Sequence, residues 1–185
     1  MNLKHVDYNF PVWEVSNFFL PDVDYQEGIC FNQNYSSETT HLRKSYELDE
    51  HFCAVWDLNT KELQSFIRNE INEVEEVRQM WMNTLSNFKY PPFKYSGEIL
   101  EDNPGFDMAP HIDNRGVFGV LIINLINNPI GSGTRFIDMN YEGPVEKHTG
   151  VFMLNNWNTR HAITNPGPDK RIVGYQNLHI DSICK

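Results

Sequence analysis

The chain has 185 residues, enough for one domain with a full core, and 40% hydrophobic with 22% charged residues is an ordinary globular composition. Its net charge of −10 argues against broad electrostatic binding to DNA or RNA, which needs lysine and arginine to neutralise phosphates. No run reaches transmembrane length, no apolar stretch follows the first basic residue as in a signal peptide, and Cys30, Cys53 and Cys184 form no Cys-x-x-Cys. A reducing, cytoplasmic setting without membrane attachment is therefore expected.

Residues 10–15 alternate in part as a strand does, and Phe18-Phe19-Leu20 before Pro21-Asp22 reads as an apolar plug and a turn. Tyr35, Tyr46 and the polar segment between them read as loop. The short apolar run 52–56 is expected to be another strand, with Trp13 and Trp56 packing in the core rather than lining a pocket. From Asn59 the period changes. Leu63, Phe66, Ile67, Ile71, Val74, Trp81, Leu85 and Phe88 recur at three- and four-residue steps, which predicts one long amphipathic helix or two nearly continuous ones, lying on a sheet. Asn59 with Glu62 has the spacing of a capping box, and Tyr90-Pro91-Pro92 stops the helix.

Beyond residue 93 come short strands separated by turns, the pattern of a sandwich or barrel. Strands are expected at 94–101, 117–126, 134–137, 151–154 and 160–164, and from Arg171 to Ile180. Turns are expected at 103–105, 127–133, 140–144 and 165–169. The run 117–126 is apolar almost throughout, as a strand buried on both faces should be.

The chemistry lies in this second half. His111-Ile112-Asp113 and His161 offer two imidazoles and a carboxylate, and such a set on one face of an octahedron, with the other positions open, suits a non-haem Fe(II). The pair alone is a cheap pattern, since His5-Val6-Asp7 and His179-Ile180-Asp181 share it. The His5 pair is followed by His51 and Lys61, but Lys61 falls in the predicted helix. The His179 pair reads as the frayed end of the last strand. Only the stretch 111–171 is dense in strand signals, and a metal needs ligands on rigid, adjacent elements. His148 is the rival for the second imidazole. It sits in a turn and has Asn158 ten residues on, where His161 has Arg171.

These residues carry a resemblance. The segment 94–180 resembles the double-stranded β-helix, or jelly-roll, core of the Fe(II)- and 2-oxoglutarate-dependent dioxygenases, most of all the prolyl-4-hydroxylase-like branch. His111, Asp113 and His161 match that family's metal triad, Gly131-Ser132-Gly133-Thr134-Arg135-Phe136 resembles its Gly-Gly-x-Thr-x-Phe stretch, and Arg171 matches the basic residue that holds the distal carboxylate of 2-oxoglutarate. The family's carboxylate-binding tyrosine is replaced here by Asn124, and the Arg-x-Ser of some branches is Arg171-Ile172-Val173.

The resemblance implies an α+β domain, mainly β, spanning residues 1–185: N-terminal strands and a supporting helix over 1–90, and a jelly-roll core over 91–185. It implies Fe(II), 2-oxoglutarate and O2, with ascorbate as a reductant, and a hydroxylase that couples oxidative decarboxylation of 2-oxoglutarate to succinate and CO2. A peptidyl residue, free amino acid or other small molecule is the implied substrate, with no nucleic-acid partner. Arg115 and Arg135 are the candidates for binding an acidic substrate, or else they form structural ion pairs. Two other classes stay open at this level: a metal-binding jelly-roll interaction protein without turnover, and a zinc hydrolase, for which the sequence nominates no general base.

Overall fold

The structure, a computed structural model, describes residues 1–7, 9–20, 42–47, 50–73, 79, 93–113, 117–155 and 157–180. Eleven strands and one α-helix occur among them: β1 (Asn2–Asp7), β2 (Phe10–Ser16), β3 (Arg43–Glu47), α1 (Glu50–Glu73), β4 (Phe93–Asp102), β5 (Asp107–His111), β6 (Val117–Asn124), β7 (Arg135–Phe136), β8 (Tyr141–Glu142), β9 (Gly150–Leu154), β10 (His161–Thr164) and β11 (Arg171–Ile180). They form a seven-stranded sheet, ordered β1-β2-β9-β6-β11-β4-β3, and a four-stranded sheet, ordered β5-β10-β7-β8. Every pairing is antiparallel. The jelly-roll architecture expected from the sequence is the one found.

The large sheet has apolar residues on both faces because each face is covered. β6 is buried at all eight positions, and the alternation of a strand sends its side chains two ways. Val120 and Ile122 pack with Leu100, Phe136, Val151, Met153 and Val173 between the two sheets. Leu121 and Ile123 pack with Ile99, Ile172 and the helical residues Trp56, Leu63 and Ile67 on the other face. Fully burying side chains of this size stabilises by about 1.5–3 kcal/mol each relative to exposure, so a short apolar stripe is enough to hold α1 on the sheet.

Several expectations are corrected. The run 52–56 is helical, since α1 begins at Glu50. Val55 and Trp56 simply extend the buried stripe of Leu63 and Ile67 towards the helix start, and a five-residue apolar run carries too little periodicity to tell strand from helix. Asn59 is therefore not a helix cap. It is buried in mid-helix and donates to the carbonyls of Val55 (2.9 Å) and Phe19 (3.2 Å), tying residues 17–20 to the helix. Tyr46 belongs to β3, paired with Ile99, rather than to a loop. Residues 141–142, expected within a turn, form β8 against Arg135–Phe136. His179 is not frayed: it pairs with Lys94 on one side and Val117 on the other, and its Nε2 lies 2.9 Å from Ser96 Oγ. The predicted helix beyond residue 73, apart from Gln79, the stop at Tyr90-Pro91-Pro92, Tyr35 and the cysteines 30 and 184 lie outside the described residues.

The expected N-terminal strands belong to the sheet itself: β1 and β2 extend the large sheet beyond β9, and β3 extends it beyond β4, so they form both of its edges. No helix among the described residues is long and apolar enough to cross a membrane.

Candidate metal centre

His111 ends β5 and His161 begins β10, and the two are register partners in the small sheet. Direct partners across a strand pair present their side chains on the same face. Their rings accordingly stand with centroids 4.5 Å apart. Asp113 follows two residues after His111, and its backbone is fastened by one side chain: Asp113 N donates to Asn155 Oδ1 (3.1 Å), while Asn155 Nδ2 donates to the carbonyls of Asp113 (3.2 Å) and Val117 (3.0 Å). One potential ligand atom from each of His111, Asp113 and His161 lies within 4.8 Å of the others, the only group of three or more such residues so placed among the described residues.

The hydrogen bonds decide which atoms are available. A carbonyl oxygen cannot donate, so each Nδ1 that meets one must carry the proton: His111 Nδ1 donates to Ala109 O (3.0 Å) and His161 Nδ1 to Thr159 O (3.1 Å). Both Nε2 lone pairs are thereby left for a ligand, the arrangement metal-binding histidines adopt. On Asp113, Oδ1 accepts from Tyr175 Oη (3.0 Å), whereas Oδ2 is buried with no hydrogen-bond partner. That orphaned oxygen stands 3.8 Å from His161 Nε2. An unpaired buried carboxylate oxygen facing imidazole lone pairs is costly unless a cation joins them. The residues present thus fit a divalent metal.

Electrostatics point the same way. Burial pushes His161 below the ordinary imidazole value of 6.5, with His111 adding to the effect and Asp113 opposing it. The neutral form that binds metal is favoured. Burial, and then the charge of Asp113, push the Tyr175 phenol far above its usual value, so it stays a donor.

The competing His-x-Asp pairs are otherwise engaged. His5 stacks on Trp13 (centroids 4.8 Å) with Nε2 against Phe10 O, and Asp7 Oδ1 accepts from Asn9. His148, the rival second imidazole, also directs Nδ1 to a carbonyl, Phe18 O at 2.9 Å, but it is not in the group whose ligand atoms come together with Asp113.

Arg171 opens β11. By alternation Arg171, Val173 and Tyr175 share the face turned between the sheets. The guanidinium is 1% exposed and donates through Nε to Ser132 O (2.8 Å) and through Nη1 to Asp102 Oδ2 (2.7 Å). Asp102, 0% exposed, is also gripped by Arg43, whose Nε and Nη2 reach its two oxygens at 2.5 and 2.9 Å. Burial lowers the pKa of Arg171 and Asp102 opposes the shift, but a guanidinium stays charged regardless. The stretch 131–136 serves this residue through the Ser132 carbonyl.

Asn124 sits beside Val173 in the register. Both amide hydrogens are committed, to Pro144 O (2.8 Å) and Thr149 Oγ1 (3.3 Å), while Oδ1 accepts from Asn128. Asn128 in turn holds the backbone of Ile172 from both sides. Arg135 is exposed on β7 and lines a cavity of about 350 Å³ with Phe136, Ile137, Asn140, Tyr141 and Glu142. The ring of Phe136 is 6.1 Å from that of His161. Arg115 lies outside the described residues.

Sequence reasoning missed Tyr175, Asn155, Asp102 and Arg43. Tyr175 was within reach, since it stands four residues after Arg171 on an alternating strand. Arg43 and Asp102 are 59 residues apart and carried no local signal.

No family model matches the sequence, and neither does any curated protein. Solved structures do match. A prolyl hydroxylase from Trichoplax adhaerens, in complex with a hypoxia inducible factor oxygen degradation domain peptide fragment, superposes with a TM-score of 0.61 at 12% identity over 92% of this chain and 84% of its own. A Pseudomonas putida prolyl-4-hydroxylase gives 0.57 at 11% identity over 94% of each chain. A viral collagen prolyl hydroxylase from Paramecium Bursaria Chlorella virus-1, in its 2OG complex, gives 0.55 at 14% identity over 75% of this chain and 79% of its own. The chain has their fold. At such identities the likeness is one of fold, and the case for chemistry rests on the side chains above.

Proposed function

We propose that this protein is an Fe(II)- and 2-oxoglutarate-dependent oxygenase that hydroxylates a peptidyl residue, a free amino acid or another small molecule. The observation that carries the reading is the orphaned Asp113 Oδ2 facing His161 Nε2, with both imidazoles held in the tautomer that leaves Nε2 free. Two nitrogens and one carboxylate leave open positions on an octahedral metal, which Fe(II) oxygenases need and a closed structural site lacks. The fold shared with prolyl hydroxylases, one of them solved in its 2OG complex, supports 2-oxoglutarate as the co-substrate.

In this reading His111, Asp113 and His161 hold the metal, and Arg171 faces the distal carboxylate of 2-oxoglutarate. Fe(II), 2-oxoglutarate and O2 would together supply the oxidising chemistry, O2 being the oxidant whose atoms go to the hydroxylated product and to succinate, with CO2 released; ascorbate would act only to keep the iron reduced. The chain's own part is orientation. Tyr175 and Asn155 fix Asp113, and the carbonyls of Ala109 and Thr159 fix the imidazoles. Asn124 acts through Asn128 on the backbone beside Arg171, since both of its amide hydrogens are already used. Arg135, which lines the cavity with Phe136, is the residue for an acidic group on the substrate, and Arg115, two residues after Asp113, is the second candidate. A peptide substrate is supported by the bound peptide fragment of the Trichoplax relative, although fold alone does not fix substrate.

The test is turnover without a prime substrate. With Fe(II), O2 and 2-oxoglutarate, the protein should release succinate and CO2 slowly, and Asp113→Ala should not. Tight metal binding with no decarboxylation under any substrate would favour a metal-binding jelly-roll interaction protein instead.

A further inference from the structure

We propose that Arg43 and Asp102 set the charge selectivity of the co-substrate site: the buried Arg43–Asp102–Arg171 cluster carries one uncompensated positive charge, which a second carboxylate on the oxo acid neutralises. This rests on the oxygenase reading and specifies how the chain would tell a dicarboxylic 2-oxo acid from a monocarboxylic one.

The charge count is direct. Two guanidinium groups share one carboxylate. The side chains of Asp102 and Arg171 are 0% and 1% exposed and that of Arg43 is 11% exposed, so solvent does little to compensate. Arg43 spends its remaining surface on the ring of Phe106, 4.1 Å from the guanidinium carbon, which is no counter-ion. The neighbouring carboxylates are engaged elsewhere. Glu101 meets Lys170 at 3.0 Å and Lys44 at 3.6 Å. Glu98 accepts from Ser45 Oγ and stands four residues along β4 from Asp102, about 13 Å of strand.

The geometry of Arg171 agrees with the count. Of its five N–H donors, Nε goes to Ser132 O and one Nη1 hydrogen to Asp102, while Nη2 has no partner among the described residues. A guanidinium end left free in a buried place suits a bidentate carboxylate. Arg171 and Tyr175 lie on one face of β11 four residues apart, so the free cation stands at one end of that face and Tyr175, which holds the metal-side carboxylate Asp113, at the other. A diacid chelating metal at one end has its second charge directed towards the other. Asp102 is thus a positioning residue. It holds Arg171 on one flank and leaves the other to the ligand, and Arg43 keeps that arrangement cationic overall.

The experiment measures a ratio. Protein loaded anaerobically with Fe(II) is titrated with 2-oxoglutarate and with 2-oxobutanoate, which share the chelating end and differ in the tail charge. The parent should prefer 2-oxoglutarate. Arg43→Met, which keeps the contact with Phe106 but makes the cluster neutral, should weaken 2-oxoglutarate by about tenfold or more and leave 2-oxobutanoate nearly unchanged. Asp102→Asn keeps the shape, raises the cluster to two positive charges and should move the ratio the opposite way; it also stands as the test should Arg43→Met not fold. A ratio unmoved in folded variants, or moved the same way in both, overturns the proposal. So does a parent that prefers 2-oxobutanoate, since Asp102 would then occupy the distal carboxylate's seat. If neither oxo acid binds the iron-loaded parent, the oxygenase reading itself falls, and the proposal with it.

Discussion

Tyr175 donates its phenolic hydrogen to Asp113 Oδ1 across 3.0 Å, and the other oxygen of that carboxylate is left buried and unpartnered. One strand, β11, therefore orients the carboxylate of the proposed metal site with one residue and presents Arg171, the proposed partner of the co-substrate, with another.

Tyr175→Phe should keep the fold, because the ring stays and only the hydroxyl goes. It frees Asp113 to rotate, so affinity for a divalent metal should fall about 10–100-fold, the usual cost of losing such a supporting bond. Calorimetric titration of apoprotein with Co(II) or Fe(II) checks this. Unchanged affinity would mean that Asn155 and the backbone alone fix Asp113.

Burial lowers the pKa of His161 below 6.5, so between the two values the unfolded chain binds a proton that the folded one refuses. Stability rises with pH wherever the unfolded state holds more protons. The contribution is thus fully present above pH 6.5 and is lost as pH falls through the depressed folded value. Melting of apoprotein between pH 7.5 and 5 should show this loss, and His161→Gln should flatten it. An identical pH slope in both proteins would contradict the assignment.

Helix α1 reaches the sheet at one tight point. A Cβ placed on Gly174 would come within 2.4 Å of the Trp56 ring, while Gly174 itself pairs with Ile99 and Ile123. Gly174→Ala should destabilise by about 1–3 kcal/mol through overpacking, read as a shift in the urea midpoint. Metal affinity of the folded fraction should be nearly unchanged, because the contact is on the face away from His161.

The site was legible in the sequence where its logic is local. His111 and Asp113 are neighbours, and Arg171 heads a run of alternating residues. The placing of His161 needed strand context, and the structure supplies it as direct register with His111. What sequence could not show was pairing over long separations. Asp102 was expected to lie just past a strand end, and nothing local said that Arg43 and Arg171 would both close on it. The helix start was misread for a different reason: an apolar run as short as 52–56 fits either period until Leu63 and Ile67 are known to share its face.

The most direct test is an anaerobic titration of apoprotein with Fe(II) and then 2-oxoglutarate, watching for the visible metal-to-ligand charge-transfer band of a chelated oxo acid, with His161→Ala and Arg171→Ala alongside. A band is expected in the parent, none in His161→Ala, and one in Arg171→Ala only at far higher 2-oxoglutarate. A folded, iron-loaded parent that gives no band would contradict the oxygenase reading.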